Sequence, residues 1–114
     1  MQIDAKINTG DIVLIKFHPG YGNEFKKYRP AVIMSETITK IDPRFILIAP
    51  LTTNIKTEQP ELELIIDNPS LDKKSLLLTW YQLTIDSSRL IRKLGTLSDI
   101  DKNRVFKAVT SLYT

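Results

Sequence analysis

A small, strongly bent β-barrel closed by a C-terminal helix is the fold this sequence predicts. Three observations carry that expectation: short β-branched and aliphatic runs, turn residues that punctuate them, and a switch to helical spacing near the end. Thr9-Gly10-Asp11 is a turn signal that opens Ile12-Val13-Leu14-Ile15-Lys16-Phe17, a β-branched run that reads as a strand. His18-Pro19-Gly20-Tyr21-Gly22-Asn23-Glu24 then breaks every regular pattern and predicts a substantial loop. Arg29-Pro30 ends the loop, and Ala31-Val32-Ile33-Met34 resumes as a strand.

A third apolar run covers Arg44 to Leu51 and closes in Thr52-Thr53-Asn54. Glu61-Leu62-Glu63-Leu64-Ile65-Ile66 alternates polar with apolar, as a half-buried strand does. A fifth strand is expected over Ser75-Leu76-Leu77-Leu78-Thr79-Trp80-Tyr81, followed by Thr84-Ile85-Asp86. Ser98-Asp99-Ile100-Asp101 reads as an N-cap with acids in the first helical turn, where the helix dipole favours them. Val105, Phe106, Val109, Leu112 and Tyr113 recur at helical spacing beyond it, and that stripe is expected to be packed core.

The chain has 114 residues, enough for one domain over residues 1–114. Its 42% hydrophobic content argues against disorder. No apolar run approaches the roughly 20 residues that span a bilayer, and Met1-Gln2-Ile3-Asp4-Ala5-Lys6 does not read as a secretory signal. A cytoplasmic protein with no membrane partner is expected. The absence of cysteine excludes disulfides, thiolate zinc sites and cysteine nucleophiles. With His18 as the only histidine, no metal site and no cofactor are expected.

The formal charge is +3. Residues 1–57 carry eight basic side chains against five acids, whereas residues 58–114 carry eight of each. An anion-binding site is therefore expected from the first half. The richest stretch is Gly20-Tyr21-Gly22-Asn23-Glu24-Phe25-Lys26-Lys27-Tyr28-Arg29-Pro30. Arginine at a strand edge can hold a phosphate bidentately, lysines add charge, and Tyr28 can stack on a base. Lys26, Lys27 and Tyr28 are thus candidate RNA contacts, although a solvated loop would carry the same residue types. His18 is the side chain with a pKa naturally suited to proton transfer near neutrality, and is a possible catalytic residue. A structural turn residue before Pro19 is the plainer reading. The sequence has neither a Walker-type glycine loop nor a serine in a nucleophile-elbow context.

Taken in order, Gly10-Asp11-Ile12-Val13, Gly22-Asn23-Glu24, Arg29-Pro30-Ala31-Val32-Ile33, Ile48-Ala49-Pro50-Leu51-Thr52, Thr84-Ile85-Asp86 and Gly95-Thr96-Leu97 resemble the MazF/PemK/Kid family of type II toxin–antitoxin endoribonucleases. The resemblance runs from Gly10 to Tyr113. It implies an SH3-like barrel of the CcdB/PemK type that works as a homodimer and is neutralised by a cognate antitoxin. It further implies sequence-specific cleavage of single-stranded RNA without a metal, by attack of the ribose 2′-hydroxyl on the adjacent phosphorus. The family arginine and threonine match Arg29 and Thr52, which are the candidate catalytic residues. Glu24 matches the loop glutamate and is a further possible catalytic residue, through a charged pair with Arg29. Thr53, Asn54, Lys56 and Gln82 are candidate RNA contacts.

Two departures stand out. Where some relatives carry an acid before Thr-Ile-Asp, this chain has Trp80 or Tyr81, and where some carry a histidine before the loop glutamate it has Asn23. Two other readings fit the same barrel: a gyrase-binding toxin of the CcdB kind, and a catalytically inactive RNA-binding module.

Overall fold

In a computed structural model, residues 6–17 and 28–114 are described. The described strands are β1 (Asp11–Lys16), β2 (Tyr28–Ser35), β3 (Phe45–Thr52), β4 (Glu63–Ile66), β5 (Ser75–Leu78), β6 (Leu83–Asp86) and β7 (Leu90–Thr96). Two α-helices join them, α1 (Glu36–Ile41) and α2 (Asp99–Ser111). The strands pair antiparallel in the order β4-β5-β3-β2-β1-β7, and β6 pairs with the N-terminal half of β3. One side of β3 therefore meets two partners in succession, β6 through Ile48 and β5 from Leu51 onward. This is the mainly β architecture with a C-terminal helix that the sequence predicts.

The period-2 alternation of strands sorts the core onto both faces of the sheet. Ile12, Val32, Ala49, Leu51, Leu64, Ile66 and Leu77 share one cluster, which Ala108 of α2 joins. Val13, Ile15, Ala31, Ile33, Ile46, Ile48 and Ile85 share the other. We call these the helix face and the open face.

Three differences from the sequence reading have physical causes. Strand β5 ends at Leu78, because Thr79 and Trp80 form a turn whose Thr79 N–H and hydroxyl both donate to the Leu62 carbonyl. Helix α1 and strand β7 are not in the sequence reading. The first is six residues long with none buried, and the second buries only Leu90, so neither shows an apolar period. Lastly, the expected core stripe of α2 is corrected. Ser98 caps the helix as anticipated, its hydroxyl accepting from Asp101 N–H at 3.1 Å. Contact with the sheet, however, runs through Ala108 and Val105, leaving Phe106 72% and Tyr113 83% exposed. Phe106 lies about 100° around the helix from Val105, beyond the narrow contact.

Gly10-Asp11 is a structural junction. Gly10 has φ +93°, its N–H donates to Ile33 O, and its carbonyl accepts from Leu97 N–H. An added Cβ would meet Lys102 Cε at 2.9 Å. Asp11 is 1% exposed and accepts from Asn8 N–H at 2.8 Å and Thr96 Oγ1 at 3.2 Å, with Lys93 Nζ also at 3.2 Å. Asp11→Ala takes the acceptor from these three donors, so unfolding free energy should fall by about 1–3 kcal/mol. An unchanged urea midpoint would contradict this role.

Beyond α1, the Asp42 carboxylate accepts from Arg44 N–H, Nε and Nη2, the last at 2.7 Å. Those bonds hold its pKa down at about 2. A depressed carboxylate pKa stabilises the fold above the unfolded value near 3.8, and that contribution fades as pH falls through about 2. An NMR titration of Asp42 should have its midpoint near 2. In Arg44→Ala the midpoint should rise toward the ordinary carboxylate range, and an unmoved midpoint would refute the assignment.

Candidate functional site

The register of the sheet brings Arg29 and Thr52 together. Arg29 pairs with Ile15 on β1, and the β2–β3 register that sets Ala31 opposite Pro50 continues to Arg29 beside Thr52. Both side chains fall on the open face, because Arg29 is two residues from Ala31 and Thr52 is four from Ile48. Thr52 in turn pairs with Leu76, and Leu76 with Ile65. A row therefore crosses five strands as Ile65, Leu76, Thr52, Arg29 and Ile15, with two polar side chains among apolar ones.

Arg29 is 9% exposed, and its Nη1 donates to Leu51 O over a long 3.5 Å. This anchors the guanidinium on the strand that carries Thr52. A guanidinium stays charged at any physiological pH, and shielding from bulk water strengthens its field at the remaining surface. Thr52 is half-buried, and its hydroxyl accepts from Asn54 N–H at 3.3 Å. That hydroxyl hydrogen stays available to an acceptor.

The other expected site residues are distributed more widely. Thr53, Asn54 and Lys56 are exposed in the segment after β3, where Asn54 Oδ1 accepts from Lys56 N–H at 3.3 Å. These local bonds shape the segment that begins at Thr52. Tyr28 is exposed at the start of β2 and pairs with Lys16, so the alternation puts it on the face opposite Arg29. Gln82 is half-buried and its amide donates to Thr79 O at 3.0 Å, closing the turn between β5 and β6. His18, Glu24, Lys26 and Lys27 lie outside the described residues.

One cluster was not anticipated. Glu63 pairs with Leu78 and so shares the open face with Thr52 and Leu76. One of its oxygens accepts from the Thr57 hydroxyl and the other from the Trp80 indole N–H at 2.7 Å. Trp80 is 49% exposed, and its ring lies 5.3 Å from that of Tyr81 at an interplanar angle of 35°. In the sequence Glu63 is one of two acids in an alternating strand, and nothing there distinguishes it from Glu61.

Comparison with known proteins places the fold and the family. The family profile for PemK-like, MazF-like toxins of type II toxin–antitoxin systems matches residues 8–113. Endoribonuclease MazF of Staphylococcus saprophyticus is 34% identical over 90% of this chain and 88% of its own length. Among solved structures, MazF from Deinococcus radiodurans superposes with a TM-score of 0.74 at 20% identity, covering 96% of this chain and 98% of that one. A mycobacterial endoribonuclease in complex with its cognate antitoxin gives 0.72 at 17% identity, with 94% of each chain covered. The profile takes in the sheet and the terminal helix together, and this chain belongs to the PemK-like, MazF-like toxins of type II toxin–antitoxin systems.

Proposed function

We propose that this protein is a sequence-specific, metal-independent endoribonuclease toxin that cuts single-stranded RNA at Arg29 and Thr52. The observation that carries the reading is the register-fixed juxtaposition of that guanidinium and that hydroxyl on one sheet face. The 34% identical relative, itself named an endoribonuclease, supports it. In the reaction, the ribose 2′-oxygen loses its proton and bonds to the adjacent phosphorus, and the bond from phosphorus to the 5′-oxygen breaks. The departing 5′-oxygen takes up a proton. The products are a 2′,3′-cyclic phosphate and a 5′-hydroxyl end. Arg29 neutralises the charge that gathers on the non-bridging oxygens, and Thr52 donates to one of them or aligns the 2′-hydroxyl. Strong preorganisation follows from placing both groups on adjacent paired strands.

Incubation of the purified chain with a long RNA and excess EDTA should yield fragments with 5′-hydroxyl ends. Arg29→Ala and Thr52→Val should each slow cleavage a few hundredfold, the worth of one aimed donor at about 3–4 kcal/mol. Their circular dichroism should stay that of the parent. Cleavage that requires added Mg²⁺, or that survives both substitutions, would overturn the mechanism. Inhibition of gyrase without any cut RNA would select the CcdB-like reading instead.

The assembly belongs to the same proposal: a homodimer, held in check by a cognate antitoxin that competes with RNA. An apolar groove of about 340 Å³ runs between α2 and the stretch formed by Thr9-Gly10 and β2, lined in part by Met34, Val105, Phe106 and Val109. Together with exposed Phe106 and Tyr113 it offers apolar surface that a second copy would cover. Phe106→Glu should convert the sedimenting species from dimer to monomer. A parent chain that sediments as a monomer at tens of micromolar would refute the assembly.

A further inference from the structure

We infer that Trp80, held by Glu63, is a stacking shelf for a nucleobase of the bound strand, and so an RNA-binding residue that sets the strand's register for the proposed cleavage. The inference rests on the endoribonuclease reading and adds a residue to it. Its basis is the construction of the turn between β5 and β6. Buried Thr79 pins the turn through two bonds to Leu62 O, Tyr81 N–H donates to Leu78 O, and the Gln82 amide closes it on Thr79 O. A tryptophan on so fixed a turn keeps a defined orientation.

The chemistry of the ring points to a base. Its one polar atom is spent on Glu63 Oε2, so the exposed half of the indole presents apolar π surface. Glu63 is itself steadied by the Thr57 hydroxyl, and the Tyr81 ring lies against the indole. A half-exposed aromatic held this firmly is ready for a flat partner with little further ordering cost. Nucleobases of any identity present such a face.

The location points to RNA. Glu63 stands on the same face as Thr52, two strands across and one pleat repeat along, about 12 Å away at normal sheet spacings, with Arg29 one strand further. A short run of single-stranded RNA bridges that distance. The segment between the two sites carries Lys56, next to the Thr57 that holds Glu63, so a cation accompanies the path. In this arrangement Arg29 and Thr52 engage the scissile phosphate, and Trp80 sets the register of the strand a few nucleotides off.

Trp80 is the only tryptophan in the chain, so its emission reports this ring alone. The probe is a random-sequence RNA dodecamer with 2′-fluoro sugars, which lacks the attacking hydroxyl. Its addition should quench the emission saturably, whereas an abasic dodecamer of the same length should not. With cleavable RNA, Trp80→Ala should raise KM about tenfold with kcat little changed. Trp80→Phe should restore most of the loss, and Glu63→Gln should stay closer to the parent than Glu63→Ala. If the parent cuts RNA while the emission stays unquenched, or if Trp80→Ala leaves KM alone, the shelf is refuted and the endoribonuclease stands. If the parent neither binds nor cuts RNA, both readings fall.

Discussion

The pairing of β2 with β3 is the constraint on which the rest of this molecule depends. It sets Ala31 opposite Pro50 and Ile33 opposite Ile48, burying those side chains on one face while Val32 and Ala49 bury on the other. A slip of one residue would send every one of them to the wrong side and carry Arg29 away from Thr52. Core packing therefore protects the site's geometry. No hydrogen bond between the two candidate side chains is needed to hold them together, because the buried aliphatic residues on these paired strands already specify their relative position.

Placing a guanidinium in that row has a physical consequence. Arg29 sits between Ile15, which is fully buried, and half-buried Thr52, and is itself nearly buried. Removing a cation from water opposes folding unless partners compensate, and Leu51 O is one of the groups that receive the guanidinium. In the proposed reaction, a fixed charge in a poorly hydrated setting suits the stabilisation of a developing phosphorane, since its field is little screened and little reorganisation is required. The same trade is absent at Asp11, whose carboxylate is buried among a backbone N–H, a hydroxyl and a lysine and serves to tie β7 to β1.

What the sequence disclosed follows from which interactions are local. Strands β1, β2 and β3 were legible because they bury residues on both faces and so read as near-continuous β-branched runs. The cap at Ser98 was legible because it is settled within one turn. Helix α1 and strand β7 were hidden because their existence depends on docking beside β3 and β1, which leaves little apolar signature in their own residues. Arg29 and Thr52 could be singled out by resemblance, yet their adjacency is a matter of register. Glu63 was opaque for a similar reason: its distinction from Glu61 arises only when Leu78 pairs with it and the turn brings Trp80 alongside.

That turn shows how a site can change its chemistry without changing its frame. At the place where some members of the family carry an acid, the chain has Trp80 or Tyr81, aromatic surface in place of a titratable oxygen. The turn itself is held by buried Thr79 and by the Gln82 amide, so the side chains of Trp80 and Tyr81 are not what closes it. A carboxylate does remain beside the turn, contributed by β4 as Glu63, but both of its oxygens accept hydrogen bonds and one of them orients the indole. The negative charge near the turn therefore lies on the neighbouring strand, where it holds an aromatic ring. In the proposed reaction, Arg29 and Thr52 act on the phosphate wherever the strand is seated, so the turn is free to govern where it is seated.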